Sequence, residues 1–408
     1  MAEPKPSPRI AFLTHEPFYP PSGGGSAEAV YLIEEMVRRD WEIHLFCPKI
    51  PDAEIVEKKF GIHLHQFSKW QMGRYAKLRN FKYLAYPFFL ERMVVATARK
   101  IKFDLILSQH TISAVAAGNL KSRLKLPVIF NFPDLLTGFM ETWPRYVAPR
   151  PIVESLKRYE LLLPTKYDAD GVLTVSDTLA DLFAGKNFPR EKICPMYYGY
   201  DAKYFPFRSQ PSPKNPPVVV MHGSFDAHHL GEIAFYAAKY VSANRPGTIF
   251  RFIGKRTGTL DKFLNRAQKE IPDFKFESTG FVPYAQISEF LADASVGIVP
   301  YEESSGTHCA FVAKIVEYIA IGLPAVSTPL KSIQSYFRND PMVKFSKFNG
   351  EDFGKKIISW FDESPTEWQL SAAKSAAHVQ AELDWQPLCR KAIDFVEKIY
   401  SAAERGEK

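Results

Sequence analysis

A run of glycines in the segment PSGGGSAEAV joins the first predicted strand to the first predicted helix, and Gly24 and Gly25 close the run. Glycine lets the backbone N–H groups at a helix N-terminus approach a phosphate closely, so the segment suits a phosphate ligand. A flexible turn would use the same residues. A dinucleotide fingerprint needs another glycine at the position of Glu28, so binding of a nicotinamide dinucleotide is disfavoured.

Lys314 and Glu317 lie three residues apart in a predicted helix, which places both charges on one helical face. The helix stops at Gly322 and Pro324, and a buried strand follows. Two interpretations stay open for the residues taken alone. They are either a functional pair or a surface ion pair on an amphipathic helix, which would contribute little free energy.

His110 directly follows the predicted strand FDLILSQ, at the carboxyl end where ligands of open α/β sheets bind. A lone histidine can be structural, but this position favours a functional role. His15 has the equivalent position after the first strand. In the second half of the chain, Lys255 and Arg256 follow a strand and suit either phosphate contact or a solvated loop.

The elements that must position these residues follow one rhythm, since short β-branched or aromatic runs alternate with amphipathic helical segments along nearly the whole chain. The runs that predict strands are IAFLT, EIHLF, IHLHQF, DLILS, PVIFNF, GVLTV, VVVMH, TIFRFI, FKFE, SVGIVP and PAVST. That alternation is typical of βαβ units and parallel sheets. It is interrupted by the proline-dense segment FPFRSQPSPKNPP, which indicates a linker, and then resumes. We therefore predict an α/β fold of two Rossmann-like, doubly wound domains that face each other across a cleft.

The predicted domain bounds follow from the linker and from the last strand-like run. The N-terminal domain takes residues 1–205, the linker 206–217 and the C-terminal domain 218–380. Residues 381–408 form a C-terminal helix that can cross back to the N-terminal domain.

Composition bounds the class of protein. The 408 residues are 46% apolar and 24% charged, as in soluble globular proteins, and the formal net charge of +7 mildly favours anionic partners. The four cysteines are widely spaced and form no CxxC pair, which disfavours disulfides and zinc. No signal pattern opens the chain, and no apolar run reaches the roughly 18 residues of a membrane span, so we expect a cytoplasmic protein.

The segment GTHCAFVAKIVEYIAIGLPAVST, residues 306–328, resembles the C-terminal domain of retaining glycosyltransferase family 4, where a glutamate-bearing helix precedes a G-x-P-V strand. FRFIGKRTG followed by STGFVPYAQISEFLADASVGIVPY resembles the family's strands beside the nucleotide base. YDADGVLTVSDTLADLF with EKICPMYYGYDAKYF resembles the end of its N-terminal domain. The similarity covers nearly the whole chain and implies the GT-B fold, with the acceptor on the N-terminal domain and the nucleotide sugar on the C-terminal domain.

The resemblance implies a glycosyltransferase that moves a sugar from a nucleotide-diphosphate donor to an acceptor, with retention. The nucleotide sugar is a co-substrate, and no cofactor is expected. Glu317 would bind the ribose, Lys314 would lie near the diphosphate and His110 would position the sugar or the acceptor. These three are the predicted catalytic residues. The predicted donor-binding residues are Gly24, Gly25, Gly254, Lys255, Phe281, Val282, Gly306, Thr307, Lys314 and Glu317. The predicted acceptor-side residues are Asp134, which could also cap a helix, and His15.

The chain departs from the family pattern at the donor site. Many members have a second glutamate eight residues before the one that matches Glu317, and Cys309 stands there. The usual arginine and lysine after the first C-terminal strand are absent from the loop HGSFDAHHLGE. Lys314 and Lys255 could supply the missing positive charge.

No metal site is predicted, and transfer is expected to be metal-independent, with helix N-termini and basic side chains stabilising the diphosphate leaving group. The carboxylates of Asp168 and Asp170 precede their strand, whereas a ligand pair should follow one. Two alternative functions remain open: a nucleotide-sugar epimerase of the same fold, and a non-catalytic sugar-nucleotide binder, which the absence of a glutamate at position 309 allows.

A stretch from Lys69 to Lys102 combines many basic residues with aromatic ones, against the single acid Glu91. Such a helix suits an anionic membrane surface. A basic solvated face over a buried aromatic one would have the same composition. No nucleic-acid partner is expected, because no nucleic-acid-binding fold signature accompanies the stretch. We therefore expect a cytoplasmic enzyme that can lie on the membrane periphery.

Overall fold

The computed structural model describes residues 7–16, 18–19, 24–67, 79–209 and 214–405. The chain divides into two units. Unit 1 comprises Met1–Leu136, Glu154–Tyr197 and Leu388–Lys408, and unit 2 comprises Thr137–Val153 and Tyr198–Pro387. Residues 137–153, which the sequence places in the N-terminal domain, thus belong structurally to unit 2.

Unit 1 is built on a seven-stranded parallel sheet with the order β3-β2-β1-β4-β5-β6-β7. Its strands are β1 (Arg9–Thr14), β2 (Glu42–Pro48), β3 (His63–Phe67), β4 (Leu105–Gln109), β5 (Val128–Phe132), β6 (Gly171–Thr174) and β7 (Ile193–Pro195). The α-helices between them are α1 (Gly24–Arg38), α2 (Ala53–Phe60), α3 (Arg79–Ala98), α4 (His110–Leu124), α5 (Arg150–Lys166) and α6 (Asp177–Ala184). Short 3₁₀ helices span Leu136–Thr142 and Arg190–Lys192.

Unit 2 has a six-stranded parallel sheet with the order β10-β9-β8-β11-β12-β13. Its strands are β8 (Val218–His222), β9 (Ile249–Ile253), β10 (Lys275–Gly280), β11 (Val296–Val299), β12 (Ala325–Ser327) and β13 (Val343–Phe345). Its helices are α7 (Glu232–Asn244), α8 (Gly258–Glu270), α9 (Ile287–Leu291), α10 (Ser305–Cys309), α11 (Ala313–Ala320), α12 (Lys331–Phe337), α13 (Gly350–Phe361) and α14 (Pro365–Leu383), with a 3₁₀ turn at Tyr284–Gln286. The last helix, α15 (Trp385–Glu404), begins in unit 2 and continues in unit 1.

The central strands are buried on both faces, as the continuous apolar runs predict for parallel sheets. Every residue of β4, β5 and β8 is buried. The α/β class with two Rossmann-like sheets is therefore confirmed. Among the described helices, none combines the length and the apolar composition that a bilayer crossing requires.

Candidate functional site

The candidate site of unit 2 begins at the point where strand order reverses. From β8 the chain goes to β9 on one side of the sheet, and β11 lies on the other side. Ligands of open α/β sheets bind beyond the carboxyl ends of the strands at such a point. His222 is the last residue of β8, and Tyr301 lies just beyond the end of β11. Helix α11 presents Lys314 and Glu317 to these residues.

Lys314 is the charged centre of this site. Its side chain is buried, and Nζ donates a hydrogen bond of 2.8 Å to the hydroxyl of Tyr301. In the part of the chain that the structure describes, no carboxylate lies within ion-pairing distance of that nitrogen. Gly223 leaves room for the amine, since a Cβ atom there would lie 3.3 Å from Nζ. A buried ammonium without a counter-ion is costly, so the site favours an anion.

Glu317 lies one helical turn from Lys314 and is also buried. Its Oε2 lies 2.9 Å from Nε2 of His222, and each side chain is 4% exposed. The two atoms are close enough to interact but are not aligned for a hydrogen bond. Both atoms therefore keep hydrogen-bonding capacity that a ligand can use.

Three glycines let the strand ends approach each other beside Lys314. The N–H of Gly223 donates to the carbonyl of Ile253, and the N–H of Gly254 donates to the carbonyl of Gly280. A Cβ atom on Gly254 would lie 2.2 Å from the carbonyl oxygen of Gly223, and the φ of Gly254 is +150°. Only glycine fits such an approach. The packing role of Gly254 does not depend on a ligand.

The other residues predicted beside Gly254 lie at the surface. The side chain of Lys255 is exposed, Phe281 is 73% exposed and Val282 is partly exposed. Arg256 pairs with Asp261 in the first turn of α8, which satisfies its charge locally. These side chains follow β9 and β10, next to the glycine cluster, and their donor-binding role stays a prediction.

A cluster of rings covers the other side of Lys314. The rings of His228 and Tyr301 lie 5.7 Å apart, and His229 lies 4.5 Å from Tyr301. Burial, with the nearby charge of Lys314, lowers the pKa of His228 to about 3. At neutral pH His228 is therefore uncharged, and Lys314 supplies the positive charge of this group.

Gly306 and Thr307 have structural partners in α10. Ser304 and Thr307 form a reciprocal capping box, so the Thr307 hydroxyl already bonds to the helix start. Gly306 lies against residues 137–153 of the same unit, since a Cβ on Gly306 would lie 2.4 Å from the backbone nitrogen of Phe139. The carboxylate of Glu141 accepts from the N–H and the hydroxyl of Ser305. The donor role predicted for Gly306 and Thr307 remains a prediction beside these contacts.

Unit 1 has its own point of strand reversal, between β1 and β4, and both predicted histidines lie there. Thr14 pairs with Gln109, so His15 and His110 follow neighbouring strands. Their rings meet edge to face at 5.1 Å. His110 has a φ of +68°, which is uncommon for a residue with a side chain and is often found at functional sites. Its Nε2 lies 3.6 Å from a carboxylate oxygen of Glu16.

A buried carboxyl group is hydrogen-bonded to the last residue of β4, next in sequence to His110. Glu28 of α1 accepts hydrogen bonds from the side chains of Asn131 and Gln109, and Gln109 directly precedes His110. Burial raises the pKa of Glu28 to about 7, and the two hydrogen bonds reduce the rise. Asp134 lies just beyond β5, and Gly24 and Gly25 begin α1. The acceptor-side and loop roles of these residues stay predictions.

The sequence did not identify His222, Tyr301 or Glu28 as site residues. His222 ends β8 and Tyr301 lies just beyond β11, and these two strands flank the reversal point, so strand order would have singled the residues out. Glu28 entered the sequence argument only as the residue that breaks a dinucleotide fingerprint. Its pairing with Asn131 joins residues of different elements, and no local pattern signals it.

Comparison with known families agrees with this arrangement. The model of the family described as Glycosyltransferase Family 4 matches residues 22–204, and the model described as Glycosyl transferases group 1 matches residues 205–376. No curated protein sequence matches the chain.

Solved structures with the same fold cover nearly the full chain. Sucrose-phosphate synthase from Thermosynechococcus elongatus is 14% identical, with a TM-score of 0.77 over 97% of this chain and 100% of that one. HepE from Anabaena, in complex with UDP and glucose, is 14% identical, with a TM-score of 0.71 over 96% and 99%. The catalytic domain of starch synthase IV from Arabidopsis thaliana, bound to ADP and acarbose, is 10% identical, with a TM-score of 0.69 over 97% and 100%.

At these identities the structural likeness establishes the fold, and the family models carry the assignment of activity. Both family models describe glycosyltransferases, which favours sugar transfer over the epimerase and the non-catalytic binder. The two models together span residues 22–376, and they show that the chain belongs to the glycosyltransferase family 4 group and is a glycosyltransferase with the GT-B fold.

Proposed function

We propose that the enzyme takes its sugar from a nucleotide-diphosphate donor bound in unit 2, and that it transfers the sugar with retention and without a catalytic metal ion. The observation that carries this proposal is the buried Lys314, which has no carboxylate partner among the described residues. A diphosphate is the anion that a nucleotide sugar brings. HepE and starch synthase IV, which share the fold, were solved with UDP and ADP.

The chemistry follows from where negative charge develops. When the bond between the sugar and the diphosphate breaks, charge accumulates on the leaving phosphate oxygens. A positive charge already fixed nearby stabilises that charge without reorganisation. Lys314 is fixed by its bond to Tyr301 and by burial. The neutral His228 beside it adds no competing positive charge.

Glu317 and His222 give the same site a means to hold hydroxyl groups. A carboxylate oxygen accepts hydrogen bonds and a histidine nitrogen can donate or accept, so the pair suits the vicinal hydroxyls of a ribose. In unit 1, His110 and His15 are proposed to position the acceptor hydroxyl, because both lie at the strand ends where ligands bind.

Replacing Glu317 by alanine should weaken nucleotide-diphosphate binding by about 1–3 kcal/mol, the usual loss for a hydrogen bond to a charged group. Calorimetric titration with UDP, ADP and GDP measures this, after a thermal-shift screen has chosen the base. The matched control is Glu270→Ala, which removes an exposed carboxylate from the end of α8. Unchanged nucleotide affinity in folded Glu317→Ala would remove Glu317 from the site.

We also propose that the basic and aromatic stretch from Lys69 to Lys102 contacts an anionic membrane surface and that the acceptor is lipid-linked. Residues 68–78 lie outside the described part of the chain. In the described part of α3, Phe88 is 57% exposed, Phe89 is 40% exposed and Arg92 lies over the ring of Phe88. Tyr86, in contrast, is buried. Exposed rings beside basic residues support the membrane interpretation.

Anionic vesicles should therefore sediment the protein at low salt, and Phe88→Ser/Phe89→Ser should reduce the bound fraction. Each basic residue near the surface contributes about 1 kcal/mol, and salt screens this attraction. Ile55→Ser, which changes another exposed apolar residue of the same unit, is the control. Absence of binding to anionic vesicles at low salt would favour a soluble acceptor.

A further inference from the structure

Three histidines and a glutamate that are not part of the candidate site come together in unit 1. Glu42 and His44 lie on β2, and His63 and His65 lie on the edge strand β3. The register pairs His44 with His63. Alternate residues of a strand point to the same face, so all four side chains share one face of the sheet edge.

The contacts inside this cluster are close. Nε2 of His44 lies 2.9 Å from Oε1 of Glu42, and its Nδ1 lies 2.9 Å from Nε2 of His65. The ring of His63 stacks on His44 with centroids 4.7 Å apart. One ligand atom from each of Glu42, His44 and His63 lies within 4.8 Å of the other two.

We propose that Glu42, His44 and His63 bind a divalent transition-metal ion of the zinc type. Two imidazoles and one carboxylate are a ligand set that such ions prefer. In a tetrahedral zinc site with bonds of about 2.0–2.2 Å, neighbouring ligand atoms lie about 3.3 Å apart. The present spacing reaches that value when the exposed ring of His63 moves closer to the other two ligands and the close pair of Glu42 and His44 opens slightly.

The surroundings support the three ligands. With the metal on Nε2 of His44, the N–H at Nδ1 donates to His65, which fixes the ring as outer partners of metal-bound histidines do. The second carboxylate oxygen of Glu42 accepts a 2.8 Å bond from Nε of Arg9, which orients the carboxylate. Phe46 stacks on His65, and Phe103 packs edge-on against His44. The exposed His63 leaves a path for the ion to enter from solvent.

The position of the cluster indicates what the ion does. Glu42 begins β2 and His63 begins β3, whereas His15 and His110 follow the carboxyl ends of their strands. The cluster therefore lies at the opposite end of the sheet from the candidate acceptor side. An ion there holds the edge strand β3 to β2 and stabilises unit 1, and it takes no part in sugar transfer.

The test uses the full-length chain without a histidine tag, stripped with EDTA and titrated with Zn²⁺ by calorimetry, with Co²⁺ absorption as a second readout. We expect binding of a single ion, a higher melting temperature with Zn²⁺, and unchanged turnover after EDTA. His63→Gln should weaken Zn²⁺ binding at least about tenfold and abolish the thermal shift. His63 is exposed, so this variant should fold. The control is His378→Gln, an exposed histidine that stacks on Tyr336 in unit 2.

Three outcomes would overturn the proposal or its structural role. If neither the wild-type chain nor its variants bind Zn²⁺, the cluster is only a hydrogen-bonded group. If His63→Gln binds Zn²⁺ as tightly as the wild-type chain does, the ion lies elsewhere. Loss of turnover after EDTA that Zn²⁺ restores would contradict the structural role.

Discussion

Replacing Lys314 by methionine should lower kcat/KM for sugar transfer by roughly a hundredfold or more, and it should weaken the binding of nucleoside diphosphates by at least about tenfold. Methionine fills nearly the same volume without the charge, so the buried position stays packed. The loss of binding reflects a charge-assisted hydrogen bond, typically about 1.5–3 kcal/mol. The larger loss of rate arises because Lys314 stabilises the negative charge on the phosphate oxygens, and that charge increases as the bond to the sugar breaks.

Comparing the affinities for nucleoside diphosphates and for nucleosides tests the role of Lys314 more directly than the size of the loss in binding or rate does. If the ammonium contacts the diphosphate, binding of UDP, ADP or GDP falls and binding of the matching nucleoside does not change. Tyr301→Phe, which removes the hydroxyl that accepts from Nζ, should give a smaller loss of the same kind. Lys269→Met, in the last turn of α8, is the surface control. Equal affinity of the wild-type chain and Lys314→Met for the nucleoside diphosphate would contradict the proposed contact between Lys314 and the donor diphosphate.

Much of the fold was predictable, because each buried parallel strand is a short continuous run of apolar residues in the sequence. IAFLT, DLILS and VVVMH are buried strands in the structure as the sequence predicts. The sequence analysis missed β7 and β13. Each is a three-residue strand at the edge of its sheet, so it depends on pairing with a neighbour more than on its own apolar pattern.

The assignment of residues 137–153 to unit 2 could not be predicted from local sequence patterns. These residues follow β5 of unit 1 in sequence but belong to unit 2, where Gly138 lies against Gly306 and Glu141 bonds to Ser305. Those contacts join residues more than a hundred positions apart in the chain. Neither the hydrophobic period nor the turn residues of this segment signal such a partner.

The cluster of Glu42, His44 and His63 could have been predicted from the sequence as a metal-site candidate, but it was not. Glu42 and His44 alternate along one strand, and His63 and His65 alternate along the next. Two-residue spacing in neighbouring strands puts these side chains on one face of the sheet. The sequence patterns weighed above for metal binding involve only the four cysteines and the two carboxylates of Asp168 and Asp170.

The stability of unit 1 should depend on pH through Glu28. The carboxyl is buried, and burial raises its pKa from 4.5 to about 7 in the folded state. Between those values the folded protein binds a proton that the unfolded chain has lost. The stabilisation from this group is therefore complete below pH 4.5 and is lost as pH rises through about 7.

Glu28→Gln removes this dependence because the amide stays neutral and can still accept from Asn131. The difference in free energy of unfolding between the variant and the wild-type chain should grow, in favour of the variant, by about 2.5 kcal/mol from pH 5 to pH 8. Urea unfolding at both pH values, followed by a signal from unit 1, measures it. Other titrating groups contribute equally to both proteins and cancel in the difference.

Glu35, which also lies on α1, supplies a control because the pKa of its carboxyl is shifted in the opposite direction. Burial acts to raise the pKa of its carboxyl, but hydrogen bonds from Arg38 and Arg39 outweigh burial and lower it below 4.5. Its contribution to stability is lost only as pH falls below that range, so Glu35→Gln should shift stability by the same amount at pH 5 and pH 8. If Glu28→Gln also shows a constant difference, Glu28 is ionised in the folded protein at pH 5, and the Asn131 and Gln109 side chains stabilise its charge.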